Sequence, residues 1–183
     1  MSLHLLDLWE DPQNVSGGSG RYYYRLAVIT WSKPREWIAG RDFEVPAGWA
    51  GHGGIYALLR DHARQTDPRR IAYIGKAKSF SARLTTRHNH YDIVKRRGST
   101  EVSCGRIRFE RIRARTGYYL EIEDVVKFAV YRHLENKQGF ESLPGFRPTQ
   151  PRAPAPWVII NEGYRFGRRM PKRIIYPAIG IEF

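Results

Sequence analysis

The sequence predicts an α+β fold, in which a small, mostly antiparallel sheet is flanked by helices and carries N-terminal and C-terminal extensions. Short runs rich in β-branched and aromatic residues are separated by turn residues, a pattern typical of strands. One later run has apolar residues at i, i+3, i+4, i+7 and i+8, which indicates an amphipathic helix. The length of 183 residues suits one domain with modest additions.

The first predicted strands lie in the N-terminal half of the chain. Residues 21–31 (RYYYRLAVITW) are aromatic and β-branched, so they predict a strand. Residues 34–51 contain scattered Gly and Pro and predict a loop with one short strand. The apolar runs 53–59 (GGIYALL) and 70–75 (RIAYIG) predict two further strands, which we expect to pair as a hairpin.

Two helices and a strand are predicted in the middle of the chain. Ser79 can cap a helix that we expect to run from Phe80 toward Arg97. Residues 105–114 (GRIRFERIRA) alternate with one slip, which predicts a strand with one buried and one basic face. Residues 118–134 carry the amphipathic spacing and predict the second helix.

The C-terminal third begins with an extended connection. Residues 143–156 contain five prolines, and a segment of this composition does not form regular structure. Residues 157–160 and 173–181 predict late strands. The pattern therefore divides the chain into an N-terminal extension (1–52), a core (53–163) that contains the Pro-rich insertion, and a basic C-terminal extension (164–183).

The positive charge is concentrated in one part of the chain. The net charge is +13, and residues 60–115 hold 16 basic and 5 acidic residues, a net charge of +11. Residues 1–59 have a net charge of −1. Such a block predicts a polyanionic partner, most often nucleic acid, although a solvated basic surface would give the same composition.

Several classes of protein are excluded by composition. Cys104 is the single cysteine, which excludes a disulfide framework and any zinc site built on two or more cysteines. No run approaches 18 apolar residues, so no membrane-spanning helix is expected. The N-terminus has no basic segment before its apolar stretch, so we expect no signal peptide and a cytoplasmic protein.

Two tripeptides on the predicted hairpin carry the most specific signal, GIY at 54–56 and YIG at 73–75. Arg83 follows on the next predicted helix, and two glutamates lie on the later one. Over residues 53–161 this set resembles the GIY-YIG endonucleases, and the stretch 73–77 (YIGKA) is similar to their type II restriction-enzyme branch.

The resemblance implies a metal-dependent endonuclease that hydrolyses phosphodiester bonds in double-stranded DNA, of bacterial or phage origin. It implies that Tyr56 takes a proton from water, that Tyr73 orients water or phosphate, and that Arg83 binds phosphate. Lys76 would contact phosphate or favour ionisation of a tyrosine. The expected cofactor is Mg2+, with Mn2+ as a substitute, because this hard cation accepts a single carboxylate and completes its shell with water and phosphate oxygen.

The resemblance implies that one glutamate of the later helix binds the metal, and the candidates are Glu123 and Glu121. Relative to Glu123, apolar residues fall at −1, +3, +6 and +7, which places this residue at the edge of the buried stripe. Relative to Glu121, positions +3 and +6 are Asp and Lys. In the GIY-YIG family the metal glutamate lies at the edge of the buried stripe, so the resemblance favours Glu123, with the other acid at the surface or at the helix dipole.

Two further family positions have alternatives in this chain. Four residues after Arg83, where the family often has His, the chain has Arg87, and His88 comes one residue later. Arg87 would then serve as a second phosphate cation. The family Asn is either Asn161, which we favour as an orienting residue, or Asn136.

The basic residues expected to contact DNA lie after the hairpin and near the C-terminus: Lys78, Arg87, Lys95, Arg96, Arg97, Arg168, Arg169 and Lys172. A homodimer is plausible, because cutting both strands at a duplex site favours two-fold symmetry. The alternatives are a structure-specific repair or mobile-element nuclease, and a non-catalytic nucleic-acid-binding module on the same scaffold.

Overall fold

A mixed β-sheet organises the part of the chain that the structure describes. The structure is a computed structural model, and it describes residues 15–17, 20–22, 24–61, 70–110, 112–135, 156–166, 169–176 and 180–182. The strands are β1 (Val15–Gly17), β2 (Gly20–Tyr22), β3 (Arg25–Trp31), β4 (Arg35–Glu36), β5 (Gly54–Asp61), β6 (Arg70–Ala77), β7 (Ser99–Glu110), β8 (Trp157–Gly163), β9 (Arg173–Tyr176) and β10 (Gly180–Glu182). The helices are α1 (Phe80–Arg83), α2 (Asp92–Lys95) and α3 (Thr116–Glu135).

The main sheet has the strand order β10-β9-β8-β3-β7-β5-β6, and β4 also pairs with β7. Its neighbouring strands are antiparallel, except that β3 and β8 are parallel. The predicted α+β class with a mostly antiparallel sheet is therefore confirmed. Residues from the segments predicted as extensions enter this sheet: β3 lies at its centre, while β9 and β10 form one end.

Helices cover both faces of the sheet around β5. Along this strand Ile55, Ala57 and Leu59 belong to the apolar core that contains α3. The alternate residues Tyr56 and Leu58 belong to a second core that contains α1 and α2. Because successive side chains of a strand point to opposite faces, one apolar run supplies both cores.

The amphipathic pattern of α3 is realised as predicted. Its buried face consists of Ile122, Val125, Val126, Ala129 and Val130, each at most 1% exposed. Complete burial of a large aliphatic side chain contributes roughly 1.5–3 kcal/mol, so this face fixes the helix against the sheet. No helix in the described ranges is long and apolar enough to span a membrane.

The predicted helix over 80–97 is wrong, because the structure has the two single-turn helices α1 and α2 with an irregular segment between them. Side chains take up backbone N–H groups in that segment. The Asp42 carboxylate accepts from the Thr86 N–H at 2.8 Å, and Nδ1 of His88 accepts from the His90 N–H at 3.0 Å. Such bonds offer the backbone an alternative to the helical hydrogen-bond ladder.

Three predicted strand boundaries also differ. The strand predicted over 105–114 runs from Ser99 to Glu110, because pairing with β5 extends it backwards to Ser99. The strand predicted over 21–31 forms two elements, β2 and β3, and the one over 173–181 forms β9 and β10. Asn136, Arg168 and residues 143–155 of the Pro-rich insertion lie outside the described residues.

Candidate active site

The two tyrosine motifs lie side by side on the β5–β6 hairpin, with Tyr56 paired to Gly75. The ring centroids of Tyr56 and Tyr73 are 5.9 Å apart. A Cβ atom at Gly75 would lie 2.5 Å from the Tyr56 hydroxyl oxygen and 2.6 Å from Cε1 of Tyr73. The motif glycine therefore makes room for both rings, and a side chain there would displace them.

Arg83 is the last residue of α1, close to the end of the hairpin. The Ser79 hydroxyl caps this helix by accepting from the Ala82 N–H at 3.5 Å, so the predicted cap is confirmed. The same hydroxyl donates to the Ala50 carbonyl at 3.1 Å, and Phe80 is fully buried. These contacts hold the short helix to the loop before β5 and fix the position of Arg83.

The guanidinium of Arg83 interacts with the hydroxyl groups of Tyr56 and Tyr73. Burial by itself would lower the pKa of Arg83, but its hydrogen bonds and charge interactions with the two tyrosines raise that pKa above its ordinary value. Burial, followed by the interaction with Tyr73, raises the pKa of Tyr56 well above its ordinary value, although Arg83 opposes this shift. At neutral pH Tyr56 therefore keeps its proton and Arg83 keeps its charge.

An open cleft of about 830 Å³ lies beside the edge strand β6. Its charged and hydroxyl-bearing lining includes Tyr73, Lys76, Lys78, Arg83 and Glu123. Tyr56 is fully buried and lies behind this lining. Tyr73 is therefore the tyrosine of the pair that meets the cleft.

Glu123 reaches the cleft from α3, and Lys127 holds it there. The Lys127 ammonium donates to Oε1 of Glu123 at 2.7 Å, across one helical turn. Both side chains are largely buried, with 12% of Lys127 and 8% of Glu123 exposed. Within the described ranges, no group of three or more His, Cys, Asp or Glu side chains is placed to hold a metal. Glu123 offers a single carboxylate at the cleft. Such a site fits a cation that takes one carboxylate oxygen and keeps water or phosphate oxygen for its other positions.

Glu121, the alternative metal ligand, lies in a different environment from Glu123. Its Oε2 accepts from the Trp157 indole N–H at 2.7 Å and from Nη1 of Arg25 at 3.2 Å. The Arg25 guanidinium also lies 4.5 Å from the ring centre of Tyr118. This acid therefore fastens α3 to β3 and β8, and it is not part of the cleft lining.

His88 reaches the tyrosine pair because the predicted long helix is interrupted. Its Nε2 lies 2.5 Å from the Tyr56 hydroxyl oxygen, and its ring is 5.8 Å from that of Tyr73. Its Nδ1 accepts from the His90 N–H, so a neutral imidazole carries its proton on Nε2. His88 therefore donates to Tyr56, whereas Arg87, the alternative that the sequence left open, is exposed.

Burial, followed by the positive charges of Arg83 and His90, lowers the pKa of His88 to about 4, while Asp92 opposes this shift. The unfolded chain, with an ordinary His pKa near 6.5, therefore binds more protons than the folded chain between pH 6.5 and 4. The neutral form supports the fold above this window, and that support is lost as the pH falls through it.

We expect the His88→Gln variant to show a weaker dependence of Tm on pH than the wild type. The glutamine amide can still donate to Tyr56, but it does not titrate. Thermal unfolding followed by circular dichroism between pH 7.5 and 4.5 measures the difference. The His52→Gln variant is the control, because His52 is exposed. Parallel Tm curves for the wild type and His88→Gln would contradict a neutral, buried His88.

Asn161 lies outside the cleft lining and serves the packing of the sheet. Its Oδ1 accepts from the Trp31 indole N–H at 2.9 Å, and its Nδ2 donates to the Pro171 carbonyl at 2.7 Å. Its backbone N–H donates to the Lys172 carbonyl at 2.8 Å. Asn161 is 2% exposed, so these bonds satisfy a buried amide that joins β8 to β3 and to the segment before β9.

The candidate DNA contacts are distributed over several surfaces. Lys76 and Lys78 are exposed at the cleft. The exposed side chains of Lys95, Arg96 and Arg97 lie at α2 and directly after it. Arg87 and Lys172 are exposed and Arg169 is half-buried.

Arg60 has a structural role that the sequence does not predict, because an arginine at the end of a strand is usually at the surface. Its Nη1 donates to the Ile93 carbonyl at 3.1 Å and to Oγ1 of Thr100 at 2.7 Å. Its Nη2 donates to the carbonyls of Arg96 and Arg97. Burial, followed by the charge of Arg96, lowers the pKa of Arg60. This buried side chain fixes the backbone of the basic segment after α2.

Comparison with known proteins gives no relative for this chain. No family model, no curated protein and no solved structure matches it. Its function therefore has to be argued from the site itself.

Proposed function

We propose that this chain is a metal-dependent endodeoxyribonuclease of the GIY-YIG type, which hydrolyses phosphodiester bonds in double-stranded DNA at specific sites. The observation that carries the proposal is the meeting of Tyr73, Arg83 and Glu123 at one cleft. These groups come from β6, α1 and α3, and hydrolysis of a phosphodiester needs the chemistry of all three.

Arg83 is the group that would bind the scissile phosphate. Its guanidinium is always charged and can donate to two phosphate oxygens at once. Its interactions with the two tyrosines outweigh the effect of burial and raise its pKa, so the guanidinium stays charged as negative charge develops on phosphorus. Lys76 and Lys78 add two exposed cations along the path of the DNA backbone.

Tyr73 would take the proton of the attacking water. It lines the cleft, whereas Tyr56 is enclosed and its pKa is raised by burial and by Tyr73. Tyr56 therefore stays protonated at neutral pH, which leaves Tyr73 as the tyrosine of the pair that can accept the proton at the cleft. This proposal exchanges the roles that the family resemblance implies for the two tyrosines.

Glu123 would hold Mg2+ in the nuclease. When bound, the cation neutralises part of the charge that develops on the phosphate. The protein supplies one carboxylate at the cleft, and water and phosphate oxygens would complete the coordination of the cation.

We expect Tyr73→Phe to lower the rate of DNA cleavage by roughly 100-fold or more, because a proton acceptor is removed. We expect Tyr56→Phe to lower it by about tenfold, the size of one lost supporting hydrogen bond. Single-turnover cleavage of one duplex substrate compares the two, and thermal unfolding checks that both variants fold. A larger loss for Tyr56→Phe would return the role of proton acceptor to Tyr56.

The proposed activity is tested with a mixture of supercoiled, linear and branched DNA, with Mg2+ and with EDTA, followed by sequencing of the ends. Uniform ends at a short palindrome would support a site-specific enzyme acting as a dimer. Ends at junctions or flaps would support a structure-specific nuclease instead. If the protein binds DNA but does not cut it in Mg2+ or Mn2+, the proposal of an enzyme is rejected, and the chain is a nucleic-acid-binding module.

A further inference from the structure

We propose that Lys127 is a positioning residue that keeps Glu123 closed to a divalent cation until a phosphate enters the cleft. The inference rests on the proposed function, since it concerns the same carboxylate. It starts from the 2.7 Å contact between the Lys127 ammonium and Oε1 of Glu123.

The position of Lys127 makes it a competitor for the metal. Its ammonium occupies one of the two carboxylate oxygens that would bind a cation, and only 12% of its side chain is exposed. It also lies 5.7 Å from the ring centre of Tyr73, a residue that lines the cleft. Removing one partner of a buried pair is costly, so a metal does not displace the ammonium without a compensating partner.

The net positive charge of the cleft also disfavours binding of a divalent cation before DNA arrives. Lys76, Lys78 and Arg83 line it together with Glu123, and Lys127 lies directly beside that carboxylate. A divalent cation that approaches the empty cleft therefore meets more positive than negative charge. Each DNA phosphate that enters the cleft lowers this positive excess by one charge and offers the Lys127 ammonium a new anionic partner.

The consequence is that metal and DNA bind with positive coupling. Each ligand supplies the charge that the other needs, and the coupling is reciprocal by linkage. The coupling is carried by Glu123, which pairs with Lys127 in one state and binds the metal in the other.

The test measures Mn2+ binding to the protein without DNA at pH 7.5, from the electron paramagnetic resonance signal of free Mn2+. We expect Lys127→Met and Lys127→Gln to bind Mn2+ at least about tenfold more tightly than the wild type, because a neighbouring positive charge is removed. Lys127→Arg should stay close to the wild type, since it keeps the charge. The double variant Glu123→Gln/Lys127→Met should lose the gain, which assigns the binding to Glu123.

The glutamine variant guards against a folding defect, because its amide can still donate to Glu123, and thermal unfolding of each variant is measured first. Equal or weaker Mn2+ binding by the folded Lys127→Gln variant would overturn the inference. If Lys127→Gln binds Mn2+ no more tightly but the wild type still cuts DNA, the proposed function holds and the role of Lys127 is rejected. If Mn2+ binding tightens but the wild type cuts no DNA, Lys127 controls a metal site in a protein that is not a nuclease.

Discussion

Replacing Glu123 by Gln is expected to lower Mg2+-dependent DNA cleavage by about 100- to 1000-fold, while DNA binding in EDTA stays close to that of the wild type. The amide keeps the size of the side chain but is a poor ligand for a hard cation. Loss of several kcal/mol of charge stabilisation in the transition state gives a factor of this size. Single-turnover cleavage of a supercoiled plasmid and a filter-binding assay measure the two quantities.

The matched control is Glu121→Gln, two residues earlier on α3. Glu121 is bonded to Trp157 and Arg25, so its replacement should lower Tm while cleavage by the folded protein changes only a few-fold. If Glu121→Gln abolished cleavage and Glu123→Gln did not, the metal ligand would be Glu121.

Replacing Arg83 by Ala is expected to lower the cleavage rate by about 100- to 1000-fold, the usual loss when one charged donor to a developing anion is removed. Lysine at this position should restore little of the rate, because it cannot donate to two phosphate oxygens in the planar geometry of a guanidinium. Rapid-quench kinetics at saturating protein measures the cleavage step apart from binding.

The salt dependence of DNA binding separates a catalytic arginine from a docking one. One phosphate contact contributes about 0.9 to the slope of log K against log salt concentration. Arg83→Ala should change the slope by no more than this amount. The control Arg41→Ala alters an exposed cation outside the cleft lining and should leave the cleavage rate within a few-fold of the wild type. A change of several units of slope for Arg83→Ala would make it a general docking residue.

The parts of the fold that the sequence predicts are those that local patterns determine. The apolar runs of β5 and β6 and the spacing of α3 act within a few residues, and these elements form as expected. The failure over 80–97 has a non-local cause, because Asp42, 44 residues before Thr86, accepts a backbone N–H there. The burial of His88 against Tyr56 likewise cannot be predicted from hydrophobic periodicity.

In the candidate site, too, local patterns predict some features, while residues distant in sequence determine the others. The predicted hairpin brings Tyr56 and Tyr73 together, and the resemblance to the GIY-YIG endonucleases implies that Arg83 joins them. The different environments of the two α3 glutamates depend on Arg25 and Trp157, which are distant in sequence. Lys127 is the exception, since its spacing of four residues from Glu123 is a local signal for an ion pair.

The place of β3 at the centre of the sheet has a consequence for synthesis of the protein. Arg25 pairs with Trp157, so a parallel ladder joins residues 132 positions apart. Loop closure over such a distance is slow, and an emerging chain cannot complete it until β8 has left the ribosome. During that interval one edge of β3 lacks its partner, and an unpaired edge invites pairing with another chain. Pairing of β3 with β7 covers only the opposite edge of β3, so the edge that receives β8 stays open to such pairing until residues 157–163 emerge.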